Sequence, residues 1–159
     1  MRRVVFNQKG GVGKSTITCN LAAASALKGY RTLVIDMDAQ CNSSQYLLGE
    51  QFSEVTTSIA DFFEGTLARM GKPDLGEHIT HTQFDNLDVI VAHPDLENLQ
   101  PKLESRYKIY KLRDSLEKLS DEYDQIFIDT KFLFCISLIF LCKWPFPNLR
   151  LLICLLNDG

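Results

Sequence analysis

The sequence predicts an α/β fold in which a parallel β-sheet is flanked by helices. Short apolar runs over residues 3–7, 32–36, 87–92 and 123–130 alternate with helical patterns over residues 14–28 and 96–119. That alternation is the one in which right-handed crossovers carry a chain between parallel strands. Three of the runs also end in glycine-rich or acidic residues, at the strand ends where open parallel sheets collect their ligands.

Each element can be justified from its residues. The first strand, 3–7, holds Val4-Val5-Phe6 and feeds into Lys9-Gly10-Gly11-Val12-Gly13-Lys14-Ser15-Thr16. Residues 14–28 then continue as a helix that stops at Gly29-Tyr30. Residues 32–36 are a buried-strand run leading into Asp36-Met37-Asp38. Thr56-Thr57-Ser58 caps a short helix through Phe63 that Gly65 ends, and residues 65–86 read as a connecting loop with little structure. Residues 87–92 form the next strand. Leu96, Leu99, Leu103, Tyr107, Tyr110, Leu116 and Leu119 recur at helical spacing despite Pro101, which predicts one long amphipathic helix. Its Lys102, Arg106, Lys108, Lys111, Arg113 and Lys118 are either a partner surface or, with Glu104, Asp114 and Glu117 interleaved, simply its solvated face. Residues 123–130 close the series on Asp129-Thr130.

A strand that turns through glycines into a helix is the setting of a phosphate-binding loop. N–H groups at a helix N-terminus point outward, and the helix dipole favours anionic charge there. Gly10, Gly11 and Gly13 let the backbone approach phosphates closely, and with Val12 they form the loop. Lys14 reaches the terminal phosphates and the Ser15 hydroxyl ligates Mg²⁺. The strict G-x-x-x-x-G-K-[ST] pattern is not met, because Gln8 occupies the first glycine position; a second lysine, Lys9, heads the loop instead. The plain alternative is a glycine-rich turn with two solvated lysines. Asp36, Asp38 and Asp129 stand at strand ends, placed to bind Mg²⁺ directly or through water. An acid closing a strand is common by itself, but three marked strand ends in one chain point to a shared site.

Residues 9–16, together with Asp36-Met37-Asp38-Ala39-Gln40-Cys41-Asn42-Ser43 and Phe127-Ile128-Asp129-Thr130, resemble the ParA/MinD group of deviant-P-loop ATPases. Phe6-Asn7-Gln8 and the D-x-D-x-Q-x-N pattern resemble its partition-protein, ParA/Soj-like branch. The resemblance covers about residues 1–130 and implies a P-loop NTPase-type sheet binding ATP and Mg²⁺. By resemblance Lys9 crosses to the partner subunit's nucleotide in an ATP sandwich dimer, Lys14 is the phosphate lysine in cis, and Thr16 contacts phosphate. Ser15 is the Mg²⁺ ligand, Asp36 holds an Mg²⁺-bound water, Asp38 positions the attacking water, and Asp129 is the carboxylate of the second nucleotide motif. Phosphoryl transfer asks mainly for positioning and for charge near the γ-phosphate, which this division of roles supplies. The resemblance further implies slow, dimerisation-coupled hydrolysis, an activating ParB-like partner, non-specific DNA binding, DNA cargo positioning in chromosome or plasmid partition, and association with the bacterial nucleoid.

Composition narrows the alternatives. The chain has 159 residues, enough for one domain with a core and too few for two. A net charge of −3 builds no strong field for nucleic acid. Met1-Arg2-Arg3 precedes only three apolar residues, far short of a signal-peptide core, so a cytoplasmic location is expected. The 5 cysteines are odd in number and lack C-x-x-C spacing, which argues against a zinc or disulfide framework. His78 and His81 stand in a polar stretch without a third ligand nearby and read as solvated loop.

After Thr130 the sequence changes character. Where the resembled family continues with a Pro-Pro pair, this chain has Lys131-Phe132-Leu133-Phe134, succeeded by a glycine-free and mainly apolar stretch. Residues 1–130 are therefore read as the N-terminal part of the ATPase, and 131–159 as an atypical apolar tail. Three readings compete for the tail: an out-of-frame or truncated terminus, a membrane anchor, or a divergent helix and strand with residues 148–156 as a last strand. Residues 132–142 fall well short of the roughly 20 that span a bilayer, and Lys143, Pro145, Pro147 and Arg150 interrupt the next stretch, so no membrane span is expected. The leading reading is a sheet truncated after the second nucleotide-motif strand, with an unpaired central edge, weak nucleotide binding and poor hydrolysis. Rival functions are a non-catalytic fragment that pairs with a full-length relative and an iron-protein-type reductase. The reductase is disfavoured by Gln8 at a glycine position and by the lack of a suitably placed cluster cysteine. A metabolic kinase is weaker still, since no acceptor site is legible.

Overall fold

Alternating strand and helix patterns resolve into one sheet with helices on both faces. The computed structural model describes residues 2–6, 13–68, 73–105, 110–130 and 149–153. In chain order the elements are β1 (Arg2–Phe6), α1 (Lys14–Leu27), β2 (Thr32–Met37), α2 (Asn42–Leu48), a 3₁₀ stretch (Gly49–Glu54) and α3 (Ile59–Leu67). Next come a second 3₁₀ turn (Leu75–His78), β3 (Thr80–His81), β4 (Leu87–Ile90), α4 (Leu96–Ser105), α5 (Tyr110–Leu119), β5 (Gln125–Thr130) and β6 (Leu149–Ile153). The strand order is β3-β4-β2-β5-β1-β6. All pairings are parallel except β3 with β4, which is antiparallel at one edge.

The two-residue period of the strands divides the core between the two faces. Leu33, Ile35, Ile90, Ile126 and Ile128 pack with Phe62 and Phe63 of α3 and with Leu96, Leu103, Leu112 and Leu116 of α4 and α5. Val34, Val89 and Phe127 face the other way, against Ala22 and Ala26 of α1 and Leu47 and Leu48 of α2. Every residue of β2 is buried, as expected of a central strand covered on both sides. At its C-terminus α1 closes with a Schellman motif: Gly29, at φ +82°, donates its N–H to the Ala26 carbonyl at 2.8 Å, and the Tyr30 N–H donates to the Ser25 carbonyl at 3.2 Å.

The predicted cap of α3 is present at Ser58. Its backbone N–H donates to Asp61 Oδ2 at 2.7 Å and its hydroxyl donates to the same oxygen at 2.6 Å. Replacing Ser58 by alanine is expected to destabilise the chain by about 1 kcal/mol, the usual loss for an N-cap. A thermal melt checks this, with the midpoint falling by about 2–4 °C.

Three expectations need correction. Gly65 lies inside α3 and does not end it; a Cβ added there would stand 3.2 Å from Pro73 Cβ, so the missing side chain serves a close helix–loop contact. The loop expected over residues 65–86 contains the Leu75–His78 turn and β3. The helix expected across residues 96–119 is not among them: α4 and α5 fall within its bounds, and residues 106–109 lie outside the described residues. The unpaired edge expected at the central strand is also corrected. β6 runs parallel to β1, with Arg2 opposite Leu149 and Phe6 opposite Ile153. The Leu149, Leu151, Leu152 and Ile153 run supplies a strand of high apolar content, and the sheet extends one strand past β5 and β1. The rest of the tail, 131–148 and 154–159, lies outside the described residues.

Candidate functional site

The geometry begins with register. β2 and β5 are neighbours with Asp36 directly opposite Asp129, and Val5 of β1 stands opposite Asp129 on its other side. Two carboxylates thus sit side by side at the C-terminal ends of the central strands, where an open α/β sheet binds its ligands. The start of α1 is close by. Gly13, at φ +79°, takes the left-handed conformation that glycine adopts without strain, and its carbonyl accepts the Ile17 N–H at 2.8 Å. Lys14, Ser15 and Thr16 form the first turn of this helix.

Asp36 is fully buried and accepts three hydrogen bonds. Oδ1 takes the Asp38 N–H at 3.1 Å; Oδ2 takes the Ser44 N–H at 2.9 Å and the Ser44 hydroxyl at 2.8 Å. Burial, and next the charge of Asp129, push its carboxyl up to about 7, against the lowering effect of these donors. Asp129 is also buried, and its Oδ2 accepts the Ser43 hydroxyl at 2.6 Å. Burial holds its pKa above the ordinary carboxylate range, with Asp38 adding to the shift, while the Ser43 and Ser15 hydroxyls and the Lys14 ammonium oppose it.

The chemistry of this donor set fits a hard divalent cation. Asp129 Oδ1 is buried and has no hydrogen-bond partner among the described residues. A buried carboxylate oxygen left unpaired is costly, and a cation or its bound water would satisfy it. Ser15, Asp36 and Asp129 offer only oxygen atoms, the ligand type Mg²⁺ takes, with phosphate and water completing its shell. Among the described residues no group of three or more His, Cys, Asp and Glu side chains could hold a metal ion. His78 bonds to Thr57 and packs edge-on against Phe62, whereas His81 pairs with Asp88 at 2.8 Å.

The structure brings Lys14, Ser15, Asp36 and Asp129 to one end of the sheet. Asp38 sits at its margin, half-buried, with Oδ1 accepting the Gln40 N–H at 3.1 Å. Thr16 is exposed. Lys9, Gly10, Gly11 and Val12, with Asn7 and Gln8, lie outside the described residues. Cys19 and Cys41 border the site, and burial pushes both thiols up to about 11, which leaves them protonated and unreactive near neutrality. Sequence reasoning assigned no role to Ser43 and Ser44, which hold the two acids. The only signal was their position at the end of the acidic D-x-D-x-Q-x-N segment.

A parallel sheet whose central strands end in paired acids, beside a glycine-capped helix opening Lys-Ser-Thr, defines a P-loop NTPase-type protein. Residues 3–138 match the AAA domain family, and the chain belongs to it, in the ParA/Soj-like branch. It is 37% identical over 126 residues to the chromosome partitioning protein ParA of Myxococcus xanthus, covering 79% of this chain and 42% of that protein. It is 34% identical over 126 residues to the sporulation initiation inhibitor protein Soj of Bacillus subtilis, covering 79% and 47%. Among solved structures, a plasmid partition protein from Borrelia burgdorferi superposes with a TM-score of 0.66 at 30% identity, covering 81% of this chain and 55% of that one. Cobyrinic acid a,c-diamide synthase from Mycobacterium smegmatis shares the fold with a TM-score of 0.72 at 24% identity, covering 86% and 54%. The chain spans about half the length of the curated relatives it matches. Among the described residues no helix is long and apolar enough to cross a membrane.

Proposed function

We propose that this chain is the nucleotide-binding part of a ParA-like ATPase, which binds Mg-ATP at the C-terminal ends of β1, β5 and β2. The observation that carries this reading is the buried Asp36–Asp129 pair facing the Lys14–Ser15 turn, with one Asp129 oxygen unpaired among the described residues. Lys14 neutralises the terminal phosphates, and the loop residues Gly10, Gly11, Val12 and Gly13 cradle them through backbone N–H groups. Thr16 adds a phosphate contact. Ser15, Asp36 and Asp129 meet the cation and its water shell. Asp38, half-buried and turned by the Gln40 N–H, orients the attacking water. Lys9 acts on the nucleotide of a second subunit, so that slow hydrolysis depends on dimerisation. Through that switch the protein positions DNA in the cytoplasm, in response to a ParB-like activator.

Titration of a fluorescent ATP analogue with and without Mg²⁺ tests the reading. Binding should tighten with Mg²⁺ and be displaced by unlabelled ATP. Binding indifferent to Mg²⁺ would refute the assigned site. Lys9→Ala should leave nucleotide binding intact and remove turnover, measured as phosphate release. If phosphate release continued at the unaltered rate, the role of Lys9 across the dimer would be wrong.

A further inference from the structure

We infer that Ser43 and Ser44 are positioning residues that hold the two site carboxylates in unequal states, Asp36 held on both oxygens and Asp129 with one oxygen open for the cation. The inference rests on the nucleotide reading above and assigns it two residues to which sequence reasoning attached no role.

A serine hydroxyl has a single proton to donate, and where that proton goes depends on what else the oxygen meets. The Ser44 hydroxyl oxygen accepts the Ala92 N–H, just past β4, at 3.0 Å. Its own proton is therefore directed to Asp36 Oδ2, at 2.8 Å, beside the Ser44 backbone N–H at 2.9 Å on the same oxygen. With the Asp38 N–H on Oδ1, both oxygens of Asp36 are held. On Oδ2 Asp129 accepts the Ser43 hydroxyl at 2.6 Å, a short charge-assisted bond that sets the plane of the carboxylate. Its Oδ1 is buried and has no partner among the described residues.

Both serines are fully buried. Both stand on α2, which is anchored at its head by Cys41. That residue is itself buried, at φ +56°, and its carbonyl accepts the Gln45 N–H at 3.0 Å. One short helix therefore delivers adjacent hydroxyls to two acids on different strands. Ser44 ties Asp36 to the end of β4, and Ser43 aims Asp129. Groups that orient a metal's ligands in this way commonly contribute about 10–100-fold to metal affinity.

The test compares wild type, Ser43→Ala, Ser43→Thr and Ser44→Ala by titrating Mg²⁺ into the complex with a fluorescent ATP analogue. The affinity for the analogue without Mg²⁺ and the thermal melt are recorded alongside. Ser43→Ala should raise the Mg²⁺ needed for half-saturation about tenfold while the Mg²⁺-free affinity stays unchanged. Ser43→Thr, which keeps the hydroxyl, should recover most of that loss. Ser44→Ala should move in the same direction. Because it also leaves the Ala92 N–H unpaired in the core, Ser43→Ala is the deciding variant. A Mg²⁺ requirement equal to wild type in Ser43→Ala overturns the positioning role and leaves the nucleotide reading standing. A parallel loss of Mg²⁺-free affinity assigns the serines to packing and overturns it as well. A wild-type chain without any Mg²⁺-dependent binding overturns both.

Discussion

Replacing Lys14 by alanine should weaken Mg-ATP binding by about a hundredfold, the upper end of what a hydrogen bond to a charged group contributes. Lys14 opens α1, so its ammonium adds to the positive end of the helix dipole where the loop turns. The same charge opposes the upward shift of the Asp129 carboxyl. Its removal therefore acts twice: the phosphates lose a counter-charge, and Asp129 becomes harder to ionise for the cation. Lys14→Arg should restore only part of the affinity, because a planar guanidinium fork does not reproduce a compact point charge inside a close loop. The side chain is only half-buried, so the melting temperature should change little. Calorimetric titration with the ATP analogue checks the result. An affinity retained in Lys14→Ala would place the phosphates elsewhere.

Asp129→Asn should abolish the Mg²⁺ dependence of binding and, at pH 8, make the ligand-free chain more stable than wild type. The Asn carbonyl can still accept the Ser43 hydroxyl, while the charge beside Asp36 disappears. The sign is set by the raised carboxyl of Asp36, at about 7 in the folded chain, against roughly 3.9 for an ordinary Asp. Between those values the folded chain keeps a proton that the unfolded chain has shed. The associated stability is fully present below about pH 4 and is lost as pH rises through about 7. Asp129 is shifted in the same direction. The ligand-free wild type should therefore melt at lower temperature at pH 8 than at pH 5. Asp129→Asn removes the second cause of the Asp36 shift but not the first, which is burial, so the slope should become shallower without vanishing. The gain at pH 8 is read as a rise in the melting midpoint of Asp129→Asn over wild type. For the wild type, saturating Mg-ATP should offset the loss at pH 8 by stabilising the folded state through binding. Parallel pH profiles for variant and wild type would show that the two acids do not sense each other.

How far each element could be read from sequence depended on whether its signal was local. The buried strands announced themselves because both faces are covered, which makes their residues continuously apolar. α1 was legible from its helical pattern and the Gly29-Tyr30 stop. α3 was legible from its Ser58 cap, but its end was not, because Gly65 carries the signal of a helix stop and serves a contact with Pro73 instead. α2 left no sequence signal that stood out: Asn42-Ser43-Ser44 has weak helix propensity, and the helix is only 7 residues long. It persists because Leu47 and Leu48 pack under α1 and because its serines satisfy buried acids. β6 was legible only as one of three readings of an apolar tail, since an apolar run does not say what it pairs with.

The class of the protein, strands β1, β2, β4 and β5, helices α1 and α3, and the residues proposed for the site (Lys14, Ser15, Asp36, Asp38 and Asp129) could be named without coordinates. They are written in local spacing and in residue type, which survive without knowledge of neighbours. Three-dimensional packing had to settle that Asp36 and Asp129 lie opposite each other, and that β6 closes the edge of β1. It also had to settle that Ser43 and Ser44 share out their two protons so that one carboxylate oxygen remains open. The reason is physical. The Ser43 hydroxyl meets its acid 86 positions away, the Ser44 oxygen meets the Ala92 N–H 48 positions away, and no local pattern encodes either choice.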